Sequence, residues 1–225
     1  EKFTQPYQQA DNISGVTNCD TCASYNMLRL TKALNVYQPD NAEYMDYYER
    51  TLYNQILASQ TPNVTAHTHN GTTYMLPIGP GSTRSYGGDY DSFTCCHGTG
   101  MENHVKYQEA AYVKTNDTLY VGLYLPSTLT WEEKGVTVKQ ETTFPSEDTK
   151  LTVSGIAGKT AESFNMKLRV PYWATNGFTV KVNGVEKVKA PEISTYVTLE
   201  GIKAGDTIEI NMPYTLHIDK TPDKL

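Results

Sequence analysis

The sequence predicts a multidomain α + β chain, with helices first, an antiparallel β-sandwich second and the change near residue 115. Three observations carry this prediction. Stretches of about 20–34 and 42–59 place apolar side chains at helical spacing. After Lys114, short runs alternate apolar and polar residues with period two. Turn signals separate those runs: Asn116-Asp117, Asn176-Gly177, Asn183-Gly184 and Ala204-Gly205-Asp206.

In chain order, residues 1–15 are polar and Gln-rich, with Pro6 and Gly15, and read as a loop. Thr17 or Asn18 can cap the first helix, whose expected buried stripe is Ala23, Met27, Leu30 and Leu34. Gln38-Pro39-Asp40 ends it. Asp40 or Asn41 caps the second helix, with Met45, Tyr48, Leu52 and Ile56 inward and Tyr44, Tyr47 and Tyr53 on the flanks. Residues 62–91 form a long Gly/Thr/Ser/Asn-rich loop holding one strand-like run, Thr72 to Leu76. Loops of that length usually serve a site. After Cys96 the glycines Gly98 and Gly100 read as a tight backbone approach, and a third helix is expected to start at Met101 and to reach about Tyr112. Glu102 falls in its first turn, where the helix dipole favours a carboxylate. Seven or more strands follow, and Val182-Asn183-Gly184-Val185 is a type I′ hairpin signal. Three helices cannot bury their own stripes, so the first part reads as the tail of a larger helical array. The chain as a whole reads as a piece of a longer protein.

Composition narrows the partners. The 225 residues carry a formal charge of −6, which argues against nucleic acid. No apolar run approaches membrane-spanning length, so no membrane partner is expected. Tyrosine is abundant, 17 residues against 5 Phe. Tyrosine faces stack on sugars, although strand propensity alone also enriches this residue. The composition leaves secreted and cytoplasmic locations open.

The chemistry concentrates in four cysteines: Cys19 and Cys22 in one C-x-x-C, and Cys95-Cys96 in Ser92-Phe93-Thr94-Cys95-Cys96-His97-Gly98-Thr99-Gly100. Adjacent cysteines pair badly with each other, because the ring they would close is strained. A C-x-x-C with a distant Cys-Cys has the ligand count of a tetrahedral zinc site, but not the spacing of a zinc ribbon. Two cross-pair disulfides, or four unrelated thiols, stay open on spacing alone. His97 and His104 flank the pair and suit helix capping or support better than ligation. His67-Thr68-His69 could meet sugar hydroxyls or bind metal, although two His in a polar loop are more often simply solvated.

Two motifs go further. Asp20-Thr21-Cys22-Ala23-Ser24-Tyr25-Asn26-Met27-Leu28-Arg29-Leu30-Thr31, together with Cys95-Cys96-His97-Gly98-Thr99-Gly100-Met101-Glu102-Asn103-His104, resembles the cysteine glycosidases of glycoside hydrolase family 127 and its relative, family 146. The Gly-Thr-Gly-Met-Glu-Asn run leans towards the latter branch. The resemblance spans the chain. It implies the C-terminal helices of an (α/α)6 barrel over 1–114 and a β-sandwich domain over 115–225.

It also implies a retaining β-L-arabinofuranosidase acting on an arabinose-containing oligosaccharide or glycan. Zinc would be held by Asp20, Cys22, Cys95 and Cys96. Cys95 would be the nucleophile, and Glu1, in Glu1-Lys2-Phe3, the acid/base. Tyr74 would contact substrate. The family usually has Glu where this chain has Asp20, and Cys19 beside it offers a four-cysteine alternative. The other class of reading is a non-catalytic carbohydrate-binding or scaffold module with a structural zinc. Residues 1–225 alone are expected to be inactive, since half of the barrel wall would be absent.

Overall fold

The computed structural model describes residues 19–61, 71–77, 79, 81–86, 93–143 and 145–218. Glu1, His67 and His69 lie outside these residues. Among the described residues the architecture is α + β: three α-helices, then ten strands in two mostly antiparallel sheets. No helix of the described residues is long and apolar enough to cross a membrane. The described residues group into two compact units, one drawn from 19–33, 47–107 and 217–218, the other from 34–46 and 108–216.

In the first unit, helix α1 begins at Thr21, within Thr21–Tyr37. Its cap is Asp20; Thr17 and Asn18, the expected caps, lie outside the described residues. Asp20 Oδ1 accepts the backbone N–H of Cys22 at 2.7 Å and of Ala23 at 3.3 Å, satisfying two of the orphan donors of the first turn. The buried face also differs from the apolar stripe. Thr21, Ser24, Tyr25, Leu28 and Thr31 point inward, while Met27, Leu30 and Leu34 are 39%, 52% and 37% exposed. Polar side chains win the inner face because they have partners there: Ser24 donates to Gln55 Oε1, and Thr21 to the Tyr74 carbonyl at 3.4 Å.

Helix α2 (Ala42–Thr51) keeps the expected stripe, with Met45, Tyr48, Leu52 and Ile56 all buried. The helix expected to run to Ser59 instead loosens into a π-turn at Leu52–Ile56 and a 3-10 turn at Leu57–Ser59. Single π-turns inside helices re-aim side chains and often mark sites. Helix α3 is Cys95–Asn103. It starts at the cysteines themselves and ends well before Tyr112, which opens the first strand.

In the second unit, β1 (Tyr112–Lys114), β2 (Thr118–Val121), β6 (Phe164–Val170) and β9 (Thr195–Ile202) make a four-stranded sheet in the order β1-β2-β6-β9. The pair β2–β6 is parallel, a departure from the all-antiparallel expectation. The second sheet is β3 (Ser127–Trp131), β4 (Val136–Glu141), β5 (Asp148–Gly155), β10 (Thr207–Asn211), β7 (Thr179–Val182) and β8 (Val185–Lys189). One cluster of buried side chains draws on both sheets, including Leu119, Val138, Leu151, Leu168, Val180 and Ile208. Trp131 joins it edge-on to Phe164 at 5.4 Å. The β7–β8 turn is Asn183-Gly184, both at positive φ (52° and 78°), with Val182 paired to Val185. That is the type I′ geometry the dipeptide signals.

The tip of the α1–α2 hairpin belongs to this second unit, and a buried ion pair fastens it. Arg169 on β6 is fully buried. Its Nη1 donates to Asp46 Oδ1, and its Nε to the Gly122 carbonyl at 2.6 Å. Asp46 also accepts Tyr172 N at 3.2 Å and Ser194 Oγ at 2.7 Å. A buried pair adds little over an apolar substitute, but breaking it strands a charge. Asp46→Ala is therefore expected to lower stability by about 3–5 kcal/mol, read as a fall in the denaturant midpoint. A loss below about 1 kcal/mol would show that Arg169 finds other compensation.

Candidate metal centre

The first unit brings Cys22, Cys95 and Cys96 together, their sulfurs all within 4.8 Å of one another. Cys22 Sγ lies 3.3 Å from Cys96 Sγ, and Cys95 Sγ 4.0 Å from Cys96 Sγ. None of the four cysteines is in a disulfide, so the disulfide reading falls. Each sulfur comes from a helix start. Cys22 is the second residue of α1, and Cys95 and Cys96 are the first two of α3. Two positive helix ends thus converge on one cluster of sulfurs, which favours their ionised forms.

Caps set each approach. Thr94 precedes α3, and the His97 ring locks it from the first turn. Its Nδ1 accepts the Thr94 N–H at 3.4 Å and lies 2.6 Å from Thr94 Oγ1. His97 is thus a capping residue, the bland role. His104 hydrogen-bonds the Tyr107 hydroxyl, and burial lowers its pKa, keeping the ring neutral. At the start of α1, Asp20 reaches one sulfur as well as capping, with Oδ1 3.1 Å from Cys96 Sγ. Cys19 does not belong to the thiol group. It sits at φ 62°, and its carbonyl accepts Leu76 N at 3.2 Å.

Tyr74 is held in place by its neighbours. Met75 bridges to Asp20, Thr73 bridges to Tyr86, and Thr21 Oγ1 donates to the Tyr74 carbonyl at 3.4 Å. The Tyr74 hydroxyl then lies 3.7 Å from Cys95 Sγ.

The three thiols are not equivalent. Cys96 is fully buried, and burial raises its pKa strongly. Burial also raises that of Cys22. Cys95 is exposed, and the Tyr74 hydroxyl lowers its pKa by hydrogen-bonding the thiolate. The same contact raises Tyr74 to about 12. Proton sharing inside the cluster therefore favours the thiolate on the accessible sulfur.

The donor set suits a thiophilic cation. Tetrahedral zinc with Zn–S near 2.3 Å needs sulfurs roughly 3.8 Å apart. The observed 3.3 and 4.0 Å bracket that spacing. A carboxylate oxygen, Asp20 Oδ1, adjoins one of them, Cys96, outside the three-sulfur group.

Several contributors had no clear signal in the sequence. Thr99 Oγ1 lies 3.5 Å from Cys22 Sγ. Gln55, aimed by the π-turn, donates to the Asp20 carbonyl at 3.2 Å and accepts from Ser24. Glu102 sits in the last turn of α3, not the first, and its carboxylate accepts from Tyr25 and Lys106. Helical spacing from Cys95 could have flagged Thr99, at i+4; nothing local could have flagged Gln55.

Comparison with known proteins now identifies the lineage. The family model described as "Beta-L-arabinofuranosidase, GH127 catalytic domain" matches residues 1–109, and the corresponding middle-domain model matches 118–214. The chain belongs to glycoside hydrolase family 127. Among its relatives is the non-reducing end β-L-arabinofuranosidase of Bifidobacterium longum subsp. longum, 26% identical over 227 residues, covering 97% of this chain and 33% of that protein. A crystal structure of a family 127 β-L-arabinofuranosidase from Geobacillus stearothermophilus T6 shares the fold at TM-score 0.70 and 23% identity, over 93% of this chain and 34% of that one. Another solved glycoside hydrolase matches at TM-score 0.69 and 24% identity, over 86% of this chain and 32% of that one. The chain spans about a third of the length of these relatives.

Two measurements follow from this geometry. In metal-free protein, iodoacetamide is expected to label Cys95 first, by peptide mass mapping. That labelling should persist to lower pH than for a free thiol, because its pKa is lowered. Modification of Cys96 before Cys95 would contradict the assignment of burial and charge. Separately, Asp20→Ala should lower stability by about 1 kcal/mol through the lost cap, while Asp20→Asn, an equally good cap, should not. Equal losses in the two denaturation curves would mean that Asp20 does not act as a cap.

Proposed function

We propose that this chain contributes the metal centre and nucleophile of a retaining glycosidase that cleaves β-L-arabinofuranosides in an arabinose-containing oligosaccharide or glycan. One observation carries the reading. Of three clustered sulfurs, only Cys95 is exposed, and a tyrosine hydroxyl stabilises its thiolate. A purely structural thiolate site, its coordination positions filled by protein ligands, has no need of an accessible sulfur with a stabilised thiolate. The exposed member speaks for chemistry rather than for a scaffold or binding module. Membership of family 127 supports the same reading.

Under this proposal the first part of the chain, 1–114, supplies C-terminal helices of an (α/α)6 barrel, and 115–225 forms a β-sandwich domain. Zinc is held by Asp20, Cys22, Cys95 and Cys96. The 3.1 Å approach of Asp20 to Cys96 supports Asp20 over Cys19 as the fourth ligand. Bound zinc would keep the sulfurs ionised at neutral pH.

The chain's own residues then divide the work. The Cys95 thiolate attacks the anomeric carbon while Glu1 gives its proton to the departing glycosidic oxygen. The sugar is left on Cys95 as a thioglycoside. Glu1, now a carboxylate, takes a proton from water, which displaces the sulfur with a second inversion. Two inversions retain configuration. Tyr74 orients the Cys95 sulfur. His67 and His69 are assigned to sugar hydroxyls.

The test uses the full-length protein. Cys95→Ser and Cys96→Ser should both lose most activity, but only Cys96→Ser should still give a mass adduct with an electrophilic arabinofuranoside analogue, on the peptide holding Cys95. Glu1→Gln should slow substrates with poor leaving groups far more than activated phenyl glycosides. Substantial turnover by Cys95→Ser, or an adduct on Cys96 or Glu102, would defeat the assignment.

A further inference from the structure

We propose that Glu102 is a positioning residue that, through Tyr25 and Lys106, locks helix α1 against helix α3 and holds Cys22 in register with Cys95 and Cys96. As it concerns metal binding, the inference rests on the metal-centre reading above.

The argument starts from helical spacing. On α1, Tyr25 follows Cys22 by three residues, so both lie on one face. On α3, Thr99 and Glu102 follow Cys95 by four and seven residues, again one face. The two faces meet in a ladder. Its first rungs are sulfur contacts, Cys22 to Cys96 at 3.3 Å and Cys22 to Thr99 at 3.5 Å. Its next rung is the hydrogen bond from the Tyr25 hydroxyl to Glu102 Oε2. The rungs advance towards the C-terminal end of both helices, so α1 and α3 run parallel.

The rungs differ in kind. Sulfur contacts are weakly directional and set no angle. The Tyr25–Glu102 bond is charge-assisted and directional. Lys106 braces it, with Nζ donating to Glu102 Oε2 at 2.9 Å and to the Tyr25 hydroxyl at 3.0 Å. The buried Tyr25 ring also faces Lys106 at 5.4 Å and Arg29 at 5.8 Å.

The position of Glu102 makes this contact informative. A carboxylate in the last turn of a helix is disfavoured by the dipole. A glutamate present only for solubility would need no buried phenol. Here the phenol and ammonium hold its carboxyl below the usual range. Loosening this brace would let α1 slide or rotate against α3. Cys22 would then leave the other two sulfurs, although none of the bracing residues touches them.

The experiment uses the full-length protein with Tyr25→Phe, Glu102→Ala and Glu102→Gln. Zinc affinity is measured by competition with a chromophoric chelator, and the sulfur-to-metal band is recorded after cobalt substitution. Tyr25→Phe and Glu102→Ala are expected to weaken zinc about 10–100-fold and to shift the band. Glu102→Gln still accepts from Tyr25 and should lose clearly less. The double variant should be no worse than the worse single one, because both remove the same contact. In zinc-free protein, diamide-driven cross-linking of Cys22 to Cys96 should slow several-fold in Tyr25→Phe and Glu102→Ala. Zinc affinity and cross-linking both within twofold of wild type would overturn the proposal. So would a lower melting temperature with neither quantity changed, the mark of a merely structural contact. If the wild-type protein binds no zinc, the metal reading fails, and cross-linking alone still decides the clamp.

Discussion

Everything at this site depends on two helix starts meeting. Cys22 and Cys96 are 74 residues apart in sequence, yet their sulfurs touch at 3.3 Å. Each is fixed to the first turn of a helix, where backbone N–H groups have no helical partner. That turn must be capped, and here the caps are also neighbours of the chemistry. Asp20 satisfies two N–H groups of α1 and presents an oxygen to Cys96. Thr94 and His97 close the start of α3 around Cys95. Local helix energetics and site geometry are therefore set by the same atoms. A change that frays either first turn moves a sulfur.

The surroundings of the cluster then sort the three sulfurs. Burial alone would make all of them hold protons, since a thiolate loses more than a thiol on leaving water. Cys96 and Cys22 follow that rule. Cys95 escapes it through exposure and Tyr74. The Tyr74 hydroxyl arrives from a segment with almost no regular structure, stitched in by single bridges to Asp20 and Tyr86 on either side. An irregular segment can place one hydroxyl against a helix start, where a regular strand would be bound to its own ladder.

How much of this was legible depended on whether the deciding force was local. Asn183-Gly184 announced its hairpin because only residues tolerant of positive φ fit that turn. The stripe of α2 was legible because its inner face is apolar. On α1 the same logic misled. Met27, Leu30 and Leu34 form a regular stripe, yet Thr21 and Ser24 take the inner face because long-range hydrogen bonds to Tyr74 and Gln55 hold them there, and Thr31 joins them with its hydroxyl satisfied inside its own helix. The start of α3 was misjudged for a related reason. Gly98 and Gly100 read as loop residues, and helix propensity disfavours both. Capping and packing of the cysteines override that preference. Moving the start to Cys95 carried Glu102 from the first turn to the last and reversed the meaning of its charge. The parallel β2–β6 pair was invisible for a different reason: the period-two pattern says nothing of direction.

The cysteine motifs themselves were legible because they are short, rare and chemically narrow. What they could not convey is asymmetry. In the sequence, Cys95 and Cys96 are adjacent and alike. In the fold, successive residues of a helix point about 100° apart, which follows from 3.6 residues per turn. One cysteine can therefore face the interior and the other the open side. A strand would have sent them to opposite faces, and a loop would have fixed neither. Placing the pair at the first turn of a helix lets both sulfurs reach one centre while only one stays accessible. A cluster that must bind tightly and still offer a single reactive sulfur needs that division, and adjacency in a helix provides it without a further residue.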